Sequence, residues 1–275
     1  MRRRLAISPL FMPTWNAPHG ALELKNGEIH LWQADLDRNM CSLLTLMQTL
    51  TPEECRKAAG FRLELERNRY ILARAALRTI LARYLKTAPG ELGFCYGPGG
   101  KPELASGTLR FNLSHSHGLA LYAISRARDV GVDVEQVRPG IEADVARCFF
   151  SPRAIQFLEA LPPGARRRAF FRGWTRMEAY SKARGEGLGL GLEIFEIFLG
   201  PSQRGRLHTP DDPVEDWGWW LHDLSPRRGY VAALAARGRK CRLKYWKWQA
   251  HLVGNMRDSI PARFGLERDS ILRGE

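Results

Sequence analysis

The sequence predicts an α+β fold of two similar halves. Three observations carry this reading. Strand-like runs, a long helical stretch and strand-like runs again follow one another twice along the 275 residues. The helical stretches announce themselves by capping residues or by apolar spacing of three and four, and the strands by alternation. No repeat of short period is present, which excludes a solenoid.

In chain order, residues 29–35 (I-H-L-W-Q-A-D) alternate as a strand does. Thr51-Pro52-Glu53-Glu54 then supplies the cap, the first-turn proline and the early acids of a helix start. In the long helical region that follows, Ala73, Leu77, Ile80, Leu81, Tyr84 and Leu85 form one buried stripe, and six Lys and Arg decorate its first half. Leu92 to Tyr96 reads as a strand ending in the turn Gly97-Pro98-Gly99-Gly100-Lys101-Pro102, with further strands at 108–113 and 119–125. Val130 to Glu135 is another short strand. Ser151-Pro152 and Pro163-Gly164 open two helices, the second running to about Arg184 and ending in a glycine-rich loop from Gly185 to Gly191. Gly218 to Leu224 and Tyr230 to Ala236 close the pattern as strands. The chain thus divides into an N-terminal half (1–125), a C-terminal half (126–240) and an extension (241–275) carrying Trp246 and Trp248.

A hydrophobic fraction of 44% and a charged fraction of 26% belong to an ordinary globular protein rather than a disordered or fibrous one. Forty-two Lys and Arg against 29 Asp and Glu leave a net charge of +13, which attracts nucleic acid, anionic membrane, acidic protein or a polyphosphate ligand without choosing among them. The five cysteines are widely spaced and form no C-x-x-C pair, so neither a disulfide framework nor a zinc site is expected; they read as reduced and cytosolic. The basic start imitates a signal peptide, but Pro9 and Pro13 break its short apolar stretch. No uncharged apolar run approaches the roughly 20 residues of a membrane helix, so a soluble, cytoplasmic protein is expected.

Asp133 and Glu135 lie two apart on a strand, which puts both carboxylates on one side. Such a pair is either a solvent-facing acid pair or the seat of a hard cation, and only convergence with a further ligand distinguishes the two. Glu178 is the partner to test, with Lys182 one helical turn beyond it on the same face; alone they would be an ordinary surface ion pair. Phe111-Asn112-Leu113-Ser114-His115-Ser116-His117 is a strand end rich in short donors, and no third ligand of suitable spacing makes its histidines a metal site. A P-loop, a G-x-G-x-x-G dinucleotide turn and a G-x-S-x-G elbow are all absent.

Taken together, G-V-D-V-E at 131–135, W-T-R-M-E-A-Y-S-K at 174–182 and F-N-L-S-H-S at 111–116 resemble the 4′-phosphopantetheinyl transferase superfamily in its Sfp-like branch. Gly100-Lys101-Pro102 adds to the match, and the similarity runs from about residue 51 to 190. The resemblance implies a pseudo-twofold monomer with the active site between its halves. It implies transfer of the phosphopantetheine arm of coenzyme A to a serine of an apo acyl or peptidyl carrier protein, serving fatty acid, polyketide or nonribosomal peptide synthesis. Asp133, Glu135 and Glu178 would bind Mg2+, which favours oxygen ligands and keeps several waters. Lys182, Lys101, His115 and Ser114 would contact the coenzyme phosphates, and Lys57 and Arg69 its 3′-phosphate. Glu178 would also accept the serine proton, directly or through a bound water, with Lys182 as its catalytic neighbour. One departure stands out: Met177 occupies the place of the family's usual lysine before the helix glutamate.

Two other readings stay open at this point. The net charge and the arginines interleaved with tryptophans at 237–248 suggest a nucleic-acid-binding protein, although no RRM, zinc-finger or helix-turn-helix signature supports it. Met177 also admits a relative that binds coenzyme A without turnover.

Overall fold

The computed structural model describes residues 10–18, 20–37, 43–139, 148–185, 206–207 and 218–250. Helices and strands are mixed as the α+β prediction requires, in four layers: helix, sheet, sheet, helix.

The first sheet has the order β10-β1-β5-β4, built from β1 (Glu28–Asp35), β4 (Arg110–Ser116), β5 (Leu119–Ser125) and β10 (Arg242–Lys247). Its outer face packs on α3 (Glu64–Leu85), where Trp32, Tyr122 and Phe111 meet Leu72, Leu77 and Ile80. Ahead of α3 lie α1 (Leu43–Met47) and α2 (Pro52–Ala59). The start of α2 is a full capping box: Thr51 accepts from the Glu54 amide and Glu54 accepts from the Thr51 amide. Glu54 is then held by Arg74 and Arg78 of α3, which fixes α2 against the longer helix. A small hairpin of β2 (Phe94–Tyr96) and β3 (Pro102–Leu104) follows.

The second sheet has the order β6-β9-β8-β7, from β6 (Val130–Gln136), β7 (Arg206–Leu207), β8 (Trp219–Leu224) and β9 (Tyr230–Arg237). Its outer face packs on α5 (Pro163–Arg184), preceded by α4 (Pro152–Glu159). The inner faces of the two sheets share an apolar layer in which Ile29, Leu31, Leu119 and Leu121 meet Val132, Val134, Leu234 and Ala236. Alternation along each strand therefore decides which layer a side chain enters.

The helix starts fall where the capping residues put them: Ser151 accepts from the Ala154 amide, and Pro163 stands at the first turn of α5. α5 stops at Gly185, whose φ of 77° favours glycine; the glycine-rich run expected beyond it, residues 186–191, lies outside the described residues. One expectation needs correction. The strand expected at 108–113 runs instead to Ser116, because the polar side chains Ser114 and Ser116 are satisfied across the sheet edge and backbone pairing with β5 continues to Leu119. Residues 242–247 of the extension form a strand, parallel to β1. Trp248 packs on the first core and donates to Thr79 Oγ1, so this tryptophan is core rather than a platform for bases. The opposite terminus crosses the other way: Phe11 bridges to Leu224 of the second sheet.

Cys55, Cys95, Cys148 and Cys241 are free thiols. Among the described residues no helix is long and apolar enough to cross a membrane.

Candidate active site

Val130, Val132 and Val134 enter the layer between the sheets, so Gly131, Asp133 and Glu135 of β6 face the other way. Gly131 has a specific job there. A Cβ on it would fall 1.9 Å from the Ala179 carbonyl oxygen and 2.4 Å from the Ala183 nitrogen, so only glycine lets β6 and α5 touch backbone to backbone. That approach brings Glu178 and Lys182, one turn apart on α5, beside Asp133.

Among the described residues β4 and β6 are edge strands of their sheets, and they meet here through side chains. Asn112 Oδ1 accepts from the Val132 amide at 2.8 Å. Ser114 Oγ donates to Asp133 Oδ1 at 2.7 Å. Ser116 Oγ donates to Glu135 Oε2 at 2.7 Å and accepts from the Gln136 amide at 3.2 Å. Residues two apart on β4 thus take successive groups of β6.

Lys182 bridges the acids, with its Nζ 2.6 Å from Asp133 Oδ1, 3.3 Å from Ser114 Oγ and 3.8 Å from Glu178 Oε2. Burial would lower the Lys182 pKa, but Asp133 outweighs it and holds the ammonium charged. Burial pushes the Glu135 carboxyl up to about 7, with Asp133 adding to the rise and Ser116 opposing it. Glu178 is raised by burial, against Lys182. Asp133 is likewise pushed up by burial, and Lys182 and Ser114 counter it. The common cause is too much negative charge in too little water: three carboxylates surround the Lys182 ammonium, and Arg138 acts only on Glu135 among them, more weakly than Lys182.

Among the described residues no three acidic, imidazole or thiol groups are gathered tightly enough to form a ready metal cluster. The carboxylates converge on Lys182 instead. Their chemistry nonetheless fits a hard divalent ion. The donors are carboxylate oxygens, the negative charge exceeds the positive, and Asp133 Oδ2 is buried with no hydrogen-bond partner.

The remaining expected residues are placed as follows. His115 is exposed, and its pKa is lowered by partial burial and then by Lys182, which puts its ring in the field of the same cluster. Lys101 donates to the Val130 and Ala183 carbonyls, both at 3.1 Å, and so ties the start of β6 to the last turn of α5. Arg69 makes a two-pronged pair with Asp37 at 2.8 and 3.1 Å, and Lys57 lies over the Tyr70 ring. Neither contacts the carboxylate cluster. Met177 is fully buried in the core under α5, so its position faces away from Asp133. Arg176 is also fully buried and pairs with Asp223 of β8.

Sequence reading gave no role to Gly131, Asn112 or Ser116. The signal was present: Asn112 and Ser116 flank Ser114 at period two, and Gly131 precedes Asp133 by the same interval.

The description of the family model that matches residues 129–235 is 4′-phosphopantetheinyl transferase superfamily, and the match covers β6, α5, β8 and most of β9. The 4′-phosphopantetheinyl transferase HetI of Nostoc sp. is 38% identical over 240 residues, which is 86% of this chain and 98% of that protein. The 4′-phosphopantetheinyl transferase Sfp of Bacillus subtilis is 26% identical over 166 residues, 60% of this chain and 73% of its own. AcpT of Salmonella typhi, also a 4′-phosphopantetheinyl transferase, is 39% identical over 110 residues, 39% of this chain and 56% of its own. With a relative aligned along nearly its whole length, and the family pattern lying over the strand and helix that carry the acids, the chain belongs to the 4′-phosphopantetheinyl transferase superfamily.

Proposed function

We propose that this transferase moves the phosphopantetheine arm of coenzyme A onto a serine of an apo acyl or peptidyl carrier protein, releasing 3′,5′-adenosine bisphosphate. The observation that carries the reading is the gathering of Asp133, Glu135 and Glu178 around Lys182 at the seam of two sheet edges. An acid-rich, half-buried cluster with one retained cation suits a polyphosphate that arrives with a metal.

Asp133, Glu135 and Glu178 would hold Mg2+, which when bound neutralises pyrophosphate charge and acts as a Lewis acid. The chain's own groups do the rest. Lys182, kept charged by Asp133, offers its ammonium to the phosphate oxygens on which charge grows. Glu178, its pKa raised by burial, accepts the proton of the carrier serine. A bond forms from the serine oxygen to the β-phosphorus, and the bond from that phosphorus to the bridging oxygen breaks with its electron pair leaving on the adenosine bisphosphate. Ser114 and His115 flank the phosphate path, with Lys101, Lys57 and Arg69 as further contacts of the coenzyme. We place the site between two similar halves of one chain, residues 1–125 and 126–240, so that a cytoplasmic monomer suffices. Binding of an acidic carrier then uses the net charge of +13 and weakens with salt.

The test is direct. The protein is incubated with coenzyme A, magnesium and an apo carrier, and the carrier is weighed. A gain of one phosphopantetheine is expected; an unchanged mass with every carrier class tried, alongside tight coenzyme A binding, would favour the non-catalytic relative. Trp246 packs against the first core, as Trp248 does, which speaks for a packing role of these aromatics.

A further inference from the structure

The edge of β6 would normally expose a row of amide donors. Here two of those donors, the Val132 and Gln136 amides, are taken by side chains of another sheet's edge. Asn112 accepts from Val132, Ser116 accepts from Gln136, and between them Ser114 meets the Asp133 carboxylate. Asn112, Ser114 and Ser116 are all buried, as Asp133 is. Each is a short side chain whose position follows closely from its backbone, so the edge of β4 acts as a template for the edge of β6.

We propose that Asn112 and Ser116 are positioning residues for the cation seat: they set the register of β6 and the orientation of Glu135 relative to Asp133. Ser116 works directly, through its bond to Glu135 Oε2, while Asn112 works through the Val132 amide, immediately before Asp133. The hydroxyl of Ser116 uses both its capacities at once, donating to the carboxylate and accepting from the next residue's amide, so it fixes side chain and main chain together. Neither residue needs to touch coenzyme A for this role. The inference rests on the reading of Asp133, Glu135 and Glu178 as metal ligands.

The test measures Mn2+ binding to the full chain by electron paramagnetic resonance, without coenzyme A, on the parent and on Ser116→Ala, Ser116→Cys, Ser116→Thr and Asn112→Ala. Loss of a carboxylate's orienting partner costs about ten- to a hundredfold in metal affinity. That loss is expected in Ser116→Ala and Asn112→Ala, together with a raised metal requirement for transfer and a kcat at saturating metal within a few-fold of the parent. Ser116→Thr keeps the hydroxyl and should recover most of the affinity. Ser116→Cys, close in size with a weak donor, serves if the alanine variant does not fold, and should lose affinity as well. A folded Ser116→Ala or Ser116→Cys variant that binds Mn2+ like the parent overturns the proposal. Asp133→Ala separates the two levels: if it too binds Mn2+ like the parent, the ligand assignment is wrong and the positioning role falls with it. If Asp133→Ala alone abolishes binding while the Ser116 variants do not, only the positioning role is lost.

Discussion

Gly131 and Ala179 stand in backbone contact, with the place a Cβ would occupy on Gly131 lying 1.9 Å from the Ala179 carbonyl oxygen. The obstruction is main chain of a long helix, which cannot swing aside as a side-chain tip can. Gly131→Ala must therefore push α5 off β6. We expect a loss of about 3 kcal/mol or more in urea denaturation, and in whatever remains folded a transfer rate down about a hundredfold, since a displacement of ~1 Å at the reacting groups has that effect. Near-parental stability in this variant would rule out the backbone contact between β6 and α5.

Asp133 and Glu178 should be indispensable in different ways. Asp133 is buried and bonded to Ser114 and Lys182, whereas Glu178 meets Lys182 only at 3.8 Å and keeps some exposure. Glu178→Ala should abolish carrier modification with a melting temperature close to the parent's. Asp133→Ala should abolish it as well, at an additional cost of about 3 kcal/mol because Lys182 loses its buried counter-ion. Full transfer by either variant, read as carrier mass, would remove the assignment.

The local part of this site was legible because it depends on period alone. Strand alternation put Asp133 and Glu135 on one side, and helical spacing put Glu178 next to Lys182. What alternation cannot state is which edge meets which. The pairing of β4 side chains with β6 links residues about twenty apart on different sheets, and so Asn112 and Ser116 passed as ordinary strand polar residues. Lys101 shows the same limit from the other side. The family resemblance implies a phosphate contact for it, while its ammonium is bonded to two main-chain carbonyls that no local pattern reveals. In β10, Leu243 and Tyr245 alternate with Arg242 and Lys244, but the mixed charge of the run hides which strand it pairs with.

Met177 illustrates how a departure from a family pattern changes meaning once its direction is known. The side chain lies in the core with Phe170, Phe171 and Leu221, so a lysine there would have to carry its ammonium out of an apolar layer. Met177→Lys is expected to destabilise the protein by about 3 kcal/mol and to leave kcat at or below the parent's. A stable Met177→Lys variant with faster transfer would show instead that the position reaches the site.

Asp223 ties α5 to the second sheet from the other flank: Arg176 holds it at 2.7 and 2.5 Å, and Arg172 at 2.8 Å. Burial alone would push this carboxyl up, but Arg176 and Arg172 outweigh it and hold its pKa below the ordinary aspartate value. A folded-state pKa below the unfolded one means the pair's contribution is present in full above the unfolded value of about 4 and drains away as pH falls through the lower, folded value. Asp223→Asn should therefore cost about 3 kcal/mol at pH 7, and the gap between parent and variant in urea midpoint should close only below about pH 4. A gap that narrows between pH 8 and 6 would point to a different titrating group and would detach Asp223 from the anchoring of the catalytic helix.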